Sequence, residues 1–333
     1  MPIDLLSDVL RVLRLRGVLY FHVGGTRAWA AEAPPSRAIA AAVLPGSQHV
    51  IEFHAVTAGA CWAAVVGGEP VRLQAGDVVL FPHGDAHVVS SEPGMRAAPH
   101  TEGYFERQGQ PLPFALHLDA HEVCFAPSSP RPAETTLVCG FLGCDLRPFN
   151  PVIASLPRLM HLRAGADQGW VVQCMRQAAA EALSPRPGGS AMLERLSEML
   201  FIDAVRCYLQ TLPEDSTGWL AGLRDRHVGR ALALMHAEPA QPWSVDELGR
   251  RVGLSRSALH ERFAQLIGET PMHYLARWRM QLGAALLRDS NATVLAIAQE
   301  VGYESEAAFS RAFKRQLGLP PTLWRRQGEH PPA

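Results

Sequence analysis

Two short sets of side chains in the last third of this 333-residue chain have types and spacing suited to reading a surface by hydrogen bonds. Ser257, His260 and Glu261 form one set; Glu306, Ala307, Ser310 and Arg311 form the other. Separations of three and four residues put each set on one face of a helix. Hydroxyl, imidazole, carboxylate and guanidinium groups on such a face can donate to or accept from the base edges exposed in a DNA major groove.

Those faces need elements that hold them. The stretches VGLSRSALHERFAQLIG (252–268) and VGYESEAAFSRAFKRQLG (301–318) repeat one pattern. Each follows a helix ending in Val-Gly, namely SVDELGRRVG (244–253) and ATVLAIAQEVG (292–302). Ser244 with Glu247 three residues later is a capping-box pattern. Gly253 and Gly302 can take the positive φ of a sharp helix–helix turn. Leu259 with Phe263, and Phe309 with Phe313, are i,i+4 pairs that pin the second helix of each copy to its first. A helix, tight turn and helix with one apolar and one polar face predict a helix-turn-helix. A solenoid would need three or more repeats, and there are two. Between the copies, HYLARWRMQLGAALLRDS (273–290) predicts an amphipathic helix roughly 25 Å long. It would hold two reading heads for adjacent major-groove segments on one face of the duplex.

Residues 219–327 resemble the AraC/XylS-type DNA-binding domain, most closely in GYESEAAFSRAFKRQLGLPPTLWR (302–325). The resemblance implies double-stranded promoter DNA as partner and makes the two polar faces groove-facing. It also makes Arg256, Arg262, Arg311, Lys314 and Arg315 candidates for base or phosphate contact. Glu261 and Glu306 depart from the polar or basic readers common there. Charge agrees in sign: residues 224–333 carry a net +4 and residues 1–223 a net −5.

The second informative stretch is VRLQAGDVVLFPHGDAHVVSS (71–91). Alternation at Val71–Leu73 and Val78–Leu80 predicts short strands, with turns at 75–77 and 83–85. The spacing of Gly76, Pro82, Gly84 and His87 resembles the second cupin motif, with Ser91 in place of its final Asn. Upstream, Gly46 followed by Glu52, Phe53 and His54 resembles the first motif, with Glu52 where that motif has its first His and no acid at 58 or 59. A cupin is a small β-barrel that can hold a metal or an organic ligand in its mouth. The resemblance puts His54 and His87 at ligand positions, with Glu52, His83 or the thiol of Cys139 as substitutes for the missing donors. Imidazole suits zinc, copper or nickel, and thiolate favours zinc or cuprous ion. The other reading keeps these histidines as relics, with an organic effector or nothing in the mouth. His22, His49, His117 and His121 read as ordinary surface or core residues.

FHAVTAGACW, GDVVLFPHGDAH, LVCGFLGCD and LPRLMHL together resemble the cupin type fused to some AraC-like regulators. In that resemblance Cys139, on the strand-like TTLVCGF, ranks first as a ligand or redox reporter. The six cysteines (61, 124, 139, 144, 174, 207) include no CxxC pair and read by default as buried thiols.

Helices are expected over 169–183 and 191–212, broken by SPRPGGS (184–190). The second has a broad stripe of Leu193, Leu196, Leu200, Val205 and Leu209, widened by Met199, Ile202 and Ala204. It either packs on the barrel or forms a homodimer. The expected architecture is an α+β two-domain chain. It has a cupin-like barrel over 1–151, a helical dimerisation segment over 152–212, a linker over 213–218 and an all-α tandem helix-turn-helix domain over 219–327.

No apolar run approaches the roughly 18 residues of a membrane span, and the opening MPIDLLSDVLRVLRLRG, with Asp4 and Asp8, reads as an amphipathic helix rather than a signal peptide. A cytoplasmic, non-enzymatic transcription regulator is expected, activating with RNA polymerase as a partner. The competing readings are a metal-dependent cupin enzyme with a helical appendage and a constitutive DNA-binding protein with a non-sensing barrel.

Overall fold

A computed structural model describes the chain except residues 1–3, 100, 107–111, 113, 120–121, 126–132, 166–176, 179, 182–186 and 330–333. Cys174, His121 and most of the helix expected over 169–183 lie outside the described residues. The strands are β1 (Arg16–Gly25), β2 (Ala30–Ala33), β3 (His49–Ala58), β4 (Ala60–Val65), β5 (Val71–Gln74), β6 (Val78–Phe81), β7 (His87–Ser90), β8 (Phe114–Asp119), β9 (Glu122–Phe125), β10 (Thr135–Cys144) and β11 (Met160–Leu162). The helices before the last third are α1 (Leu5–Val12), α2 (Ala40–Val43), α3 (Glu102–Glu106), α4 (Pro151–Ser155) and α5 (Gly189–Thr211). After them come α6 (Trp219–Arg224), α7 (Arg226–Ala237), α8 (Val245–Val252), α9 (Arg256–Ile267), α10 (Pro271–Asp289), α11 (Val294–Glu300), α12 (Glu306–Leu317) and α13 (Pro321–Glu329).

By packing, the chain divides into two units. One is Leu15–Cys144 with Leu156–Gln210; the other is Met1–Arg14 with Asp145–Ser155 and Thr211–Ala333. This differs from the linear domains expected from sequence, because α1 and residues 145–155 find their apolar partners among the C-terminal helices.

In the first unit the strands form two sheets. A seven-stranded sheet runs β11-β6-β3-β10-β1-β8-β9 and a four-stranded sheet runs β2-β7-β4-β5. The expected single barrel wall is thus two hydrogen-bonded sheets among the described residues. β6 and β7 are buried at every position, as strands covered on both faces must be. Their apolar faces meet in a core that includes Val56, Leu73, Val79, Phe81, Val89 and Leu137. At an order of 1.5–3 kcal/mol per fully buried aliphatic or aromatic side chain, this core dominates the unit's stability. Gly17 of β1 has no room for a side chain: a Cβ there would lie 2.5 Å from Ser197 Cβ and 2.6 Å from the Glu194 carbonyl. Helix α5 is therefore seated on β1. It buries Leu193, Leu200, Phe201, Ala204 and Val205 and leaves Met199 exposed.

In the second unit the five helices from α8 to α12 have sequence-encoded starts. Ser244, Ser255, Thr270, Thr293 and Ser305 each accept a hydrogen bond from the backbone N–H three residues on. Gly253 and Gly302 have φ of 78° and 84°, as the tight turns require. Met280, Ala284, Ile297, Phe309, Phe313 and Trp324 form the core around the second motif. Residues 145–155 join this unit through buried polar contacts. The Phe149 N–H donates to Gln281 Oε1 at 2.9 Å, and Arg288 Nη1 donates to Asp145 Oδ2 at 2.6 Å. Losing one partner of such a buried pair costs about 3–5 kcal/mol, because the other charge is left uncompensated.

Candidate effector pocket and nucleic-acid interface

A cavity of about 380 Å³ opens between the two sheets. Phe21 and Val23 of β1, Leu116 and Leu118 of β8, Leu137 and Phe141 of β10, Trp29 and Tyr104 give it mostly apolar walls. Glu32 and Arg96, joined by a bidentate pair at 2.7 and 2.8 Å, also line it. Hydrogen bonds from Arg96 hold the Glu32 carboxyl below the usual carboxylate range.

Three polar side chains interrupt the apolar lining. Glu52 and His54 sit two apart on β3, so alternation points both to one face, and His87 begins β7 on the other sheet. His54 Nε2 lies 2.7 Å from His87 Nε2, and Glu52 Oε2 lies 3.6 Å from His87 Nε2. One donor atom from each of the three falls within 4.8 Å of the others. The tautomers follow from one contact. His87 Nδ1 is 3.0 Å from the Asp85 carbonyl, which can only accept, so Nδ1 carries the proton and Nε2 presents a lone pair. His54 Nε2–H then donates to it. The stacked Phe81 ring, 3.7 Å away by centroid, fixes the His87 plane.

Burial sets the charge state. It pushes the Glu52 carboxyl well above the carboxylate range. It also lowers His54 well below 6.5, helped by His87, and holds His87 at about 4 against the opposing pull of Asp85. The Glu52–His87 contact is therefore between neutral groups, not an ion pair. Glu52 Oε1 and His54 Nδ1 are buried with no hydrogen-bond partner. Unpaired buried polar atoms are costly, and such a set, with one histidine already oriented by a backbone carbonyl, fits a divalent transition metal.

The other ligand candidates separate from this trio. His83 is exposed, and its Nε2 bonds the Leu156 carbonyl at 2.8 Å. Its side chain is thus committed to a loop, away from the donor cluster. Cys139 does line the pocket, opposite His54 in the β3–β10 register. Burial pushes its thiol well above 9, the opposite of what a reactive thiolate needs. The aromatic walls Phe21, Trp29 and Tyr104 escaped sequence reading because they come from separate elements with no shared spacing.

In the second unit, α9 exposes Arg256, Ser257, His260, Glu261 and Arg262 and buries Leu259 and Phe263. The second helix of the other motif, α12, exposes Glu306, Ala307, Arg311, Lys314 and Arg315, half-buries Ser310, and buries Phe309, Phe313 and Leu317. The arginines are not equivalent. Arg262 donates through Nε and Nη2 to Asp225 Oδ2 at 2.8 and 2.5 Å. Asp225 is also the N-cap of α7. Arg262, though exposed, is thus already paired within the chain, and Arg256 approaches Asp246 at 3.5 Å. Ser255 and Ser305 went unremarked in sequence reading, although a serine three residues before each buried-face alanine is a readable N-cap signal.

Known proteins agree with both halves. A family described as "Cupin" matches residues 4–210, and one described as "Helix-turn-helix domain" matches residues 248–327. A "Putative AraC-like transcription regulator" of Streptomyces lividans is 33% identical, covering 98% of this chain and all of that protein. One of the same name from Streptomyces antibioticus is 33% identical over 97% of this chain and 98% of its own length. The "HTH-type transcriptional regulator AlkR" of Acinetobacter baylyi is 29% identical over 84% of this chain and 89% of its own. Among the described residues no helix is long and apolar enough to cross a membrane. The chain therefore belongs to the AraC-like transcription regulators, as a DNA-binding regulator that joins a cupin region to a tandem helix-turn-helix domain.

Proposed function

We propose that the cupin pocket receives the signal and that Glu52, His54 and His87 hold a divalent metal, zinc, copper or nickel, at its wall. The observation carrying this reading is the trio of partly unpartnered donors, Glu52 and His87 buried and His54 half-buried, beside an apolar cavity large enough for a small effector. His87 would bind through Nε2, His54 through Nε2 once its proton has moved to Nδ1, and Glu52 through a carboxylate oxygen. A metal there would supply a Lewis-acidic anchor for a ligand head group. The apolar walls would take the ligand's body, and Glu52 would release its proton on metal binding.

Downstream, the exposed faces of α9 and α12 enter successive major-groove segments of promoter DNA. Arg311, Lys314 and Arg315 supply base or phosphate contacts. Homodimerisation uses the face of α5 not spent on β1, where Leu196, Met199 and Ile202 lie three residues apart. Activation through RNA polymerase is the direction the family resemblance favours. A cupin enzyme is the weaker reading, because the full-length relatives are named as transcription regulators.

The test is metal content by mass spectrometry on the full-length protein and on His87→Ala, each also challenged with zinc. About one equivalent in the wild type, lost in the variant, supports the site. Metal-free wild type after the challenge overturns it. Promoter affinity unchanged by zinc in the loaded protein would instead point to a scaffold without a sensing role.

A further inference from the structure

Helix α10 is the one element that links the two helix-turn-helix motifs, and each half of it seats a different motif. Toward its N-terminus, Tyr274 packs edge-on against Phe263 of the first motif. Toward its C-terminus, the Trp324 Nε1–H donates to the Ala284 carbonyl and Arg325 Nε to the Leu287 carbonyl. Between the halves stands Gly283. A Cβ there would come within 2.9 Å of the Phe309 ring, so the packing of the second motif imposes a glycine in mid-helix. A glycine in that place is the point where the helix resists bending least.

Residues 145–155 bridge that point. On one side, the Phe149 ring meets Tyr274 edge-on with centroids 5.5 Å apart, and the Arg277 guanidinium lies 4.0 Å over it. The Phe149 N–H then bonds the buried Gln281 side chain. On the other side, Asp145 takes the largely buried Arg288, and Arg14 pairs with Asp289. From Tyr274 to Arg288 the contacts span about 20 Å of helix at 1.5 Å per residue. None of these residues faces DNA in the reading above. The segment also follows directly from β10, which lines the pocket through Cys139 and Phe141.

We propose that residues 145–149 splint α10 across Gly283 and thereby set the spacing of the two half-sites the protein accepts, with Asp145 and Phe149 as positioning residues. Specificity for sequence lies in α9 and α12; specificity for spacing lies in a segment that touches no base.

The experiment is in vitro selection from a random duplex library with full-length wild type, Asp145→Asn, Phe149→Ala and Asp145→Glu, each checked for folding by circular dichroism. The wild type is expected to select two half-sites at one fixed spacing. Asp145→Asn and Phe149→Ala should keep both half-site sequences but spread the spacing by a base pair or more, and Asp145→Glu should restore the single spacing. Should either disruptive variant fail to fold, Arg277→Ala, which removes the guanidinium over Phe149 together with its pair to Glu269, takes its place, with Glu269→Gln as the control for the lost ion pair. Variants that bind more weakly yet select the wild-type spacing overturn the proposal, as does a wild type that selects a single half-site.

Discussion

The Nε2 atoms of His54 and His87 lie 2.7 Å apart although the two residues come from different sheets. The pair fastens the sheets only while at least one imidazole is neutral. In the unfolded chain each histidine takes a proton near pH 6.5, whereas His87 in the fold holds out to about 4. The unfolded state therefore binds more protons in that window. This contribution to stability is complete above 6.5 and is lost as pH falls toward 4, roughly 3 kcal/mol for His87. His236, buried and held at about 3, has the same sign. The urea midpoint should fall steadily from pH 7 to pH 4.5, and His87→Gln should flatten the slope. A midpoint constant over that range would contradict the neutral-pair assignment.

Glu52 acts in the other direction. Its raised value favours the fold below the unfolded carboxyl range, and that contribution fades as pH rises through the folded value. A metal must displace its proton, so zinc affinity should increase with pH over the same interval. Glu52→Gln, close in shape but without the charge, should bind zinc more weakly and lose most of that pH dependence. Isothermal titration at three pH values decides; a parallel pH dependence in the variant counts against Glu52 as a ligand.

The two turn glycines differ in their surroundings. Gly253 has φ 78° and open space around it, whereas a Cβ at Gly302, φ 84°, would lie 2.7 Å from Ala240 Cα. Gly253→Ala should cost only the left-handed backbone penalty, about 1–2 kcal/mol. Gly302→Ala adds a backbone clash and should cost clearly more. Chemical denaturation of both variants measures the difference, and equal losses would show that the second turn relaxes freely.

Arg311 and Arg262 stand at similar positions in their helices but in different company. Arg311→Ala should weaken binding to a cognate promoter fragment by about 1–3 kcal/mol if it grips a base, or reduce the salt slope by about one if it grips a phosphate. Arg262→Ala removes a partner of Asp225 and should register first as lower stability, with a smaller effect on DNA. Binding titrations across salt concentrations separate the cases. An Arg311 variant with wild-type affinity at every salt concentration would remove it from the interface.

The tandem motif was legible because its signals are local. The Ser244 cap, the turn glycines and the i,i+4 apolar pairs act within one or two turns, so α8 to α12 fall close to their expected bounds. The long helix expected over 273–290 runs from Pro271 to Asp289 because Thr270 caps it. His54 and His87 were legible through motif spacing. Whether His83 joined them was not, since the direction of a turn side chain depends on what packs over it, here the Leu156 carbonyl. The apolar face of α1 was read correctly, but its partner was out of reach. A stripe of Leu5, Val9 and Leu13 says that something covers it and nothing about what. The same holds for Asp145, whose partner lies 143 residues away.

That distance orders assembly in time. Helix α1 is synthesised before everything it packs on, since α7 and α10 lie over 200 residues downstream. At about 5–20 residues per second, roughly 10–50 s separate its emergence from theirs. For that interval its leucines have no seat, and they reach one only after the cupin strands between have been made. The helix nearest the start of the chain thus waits for a seat that the far end supplies.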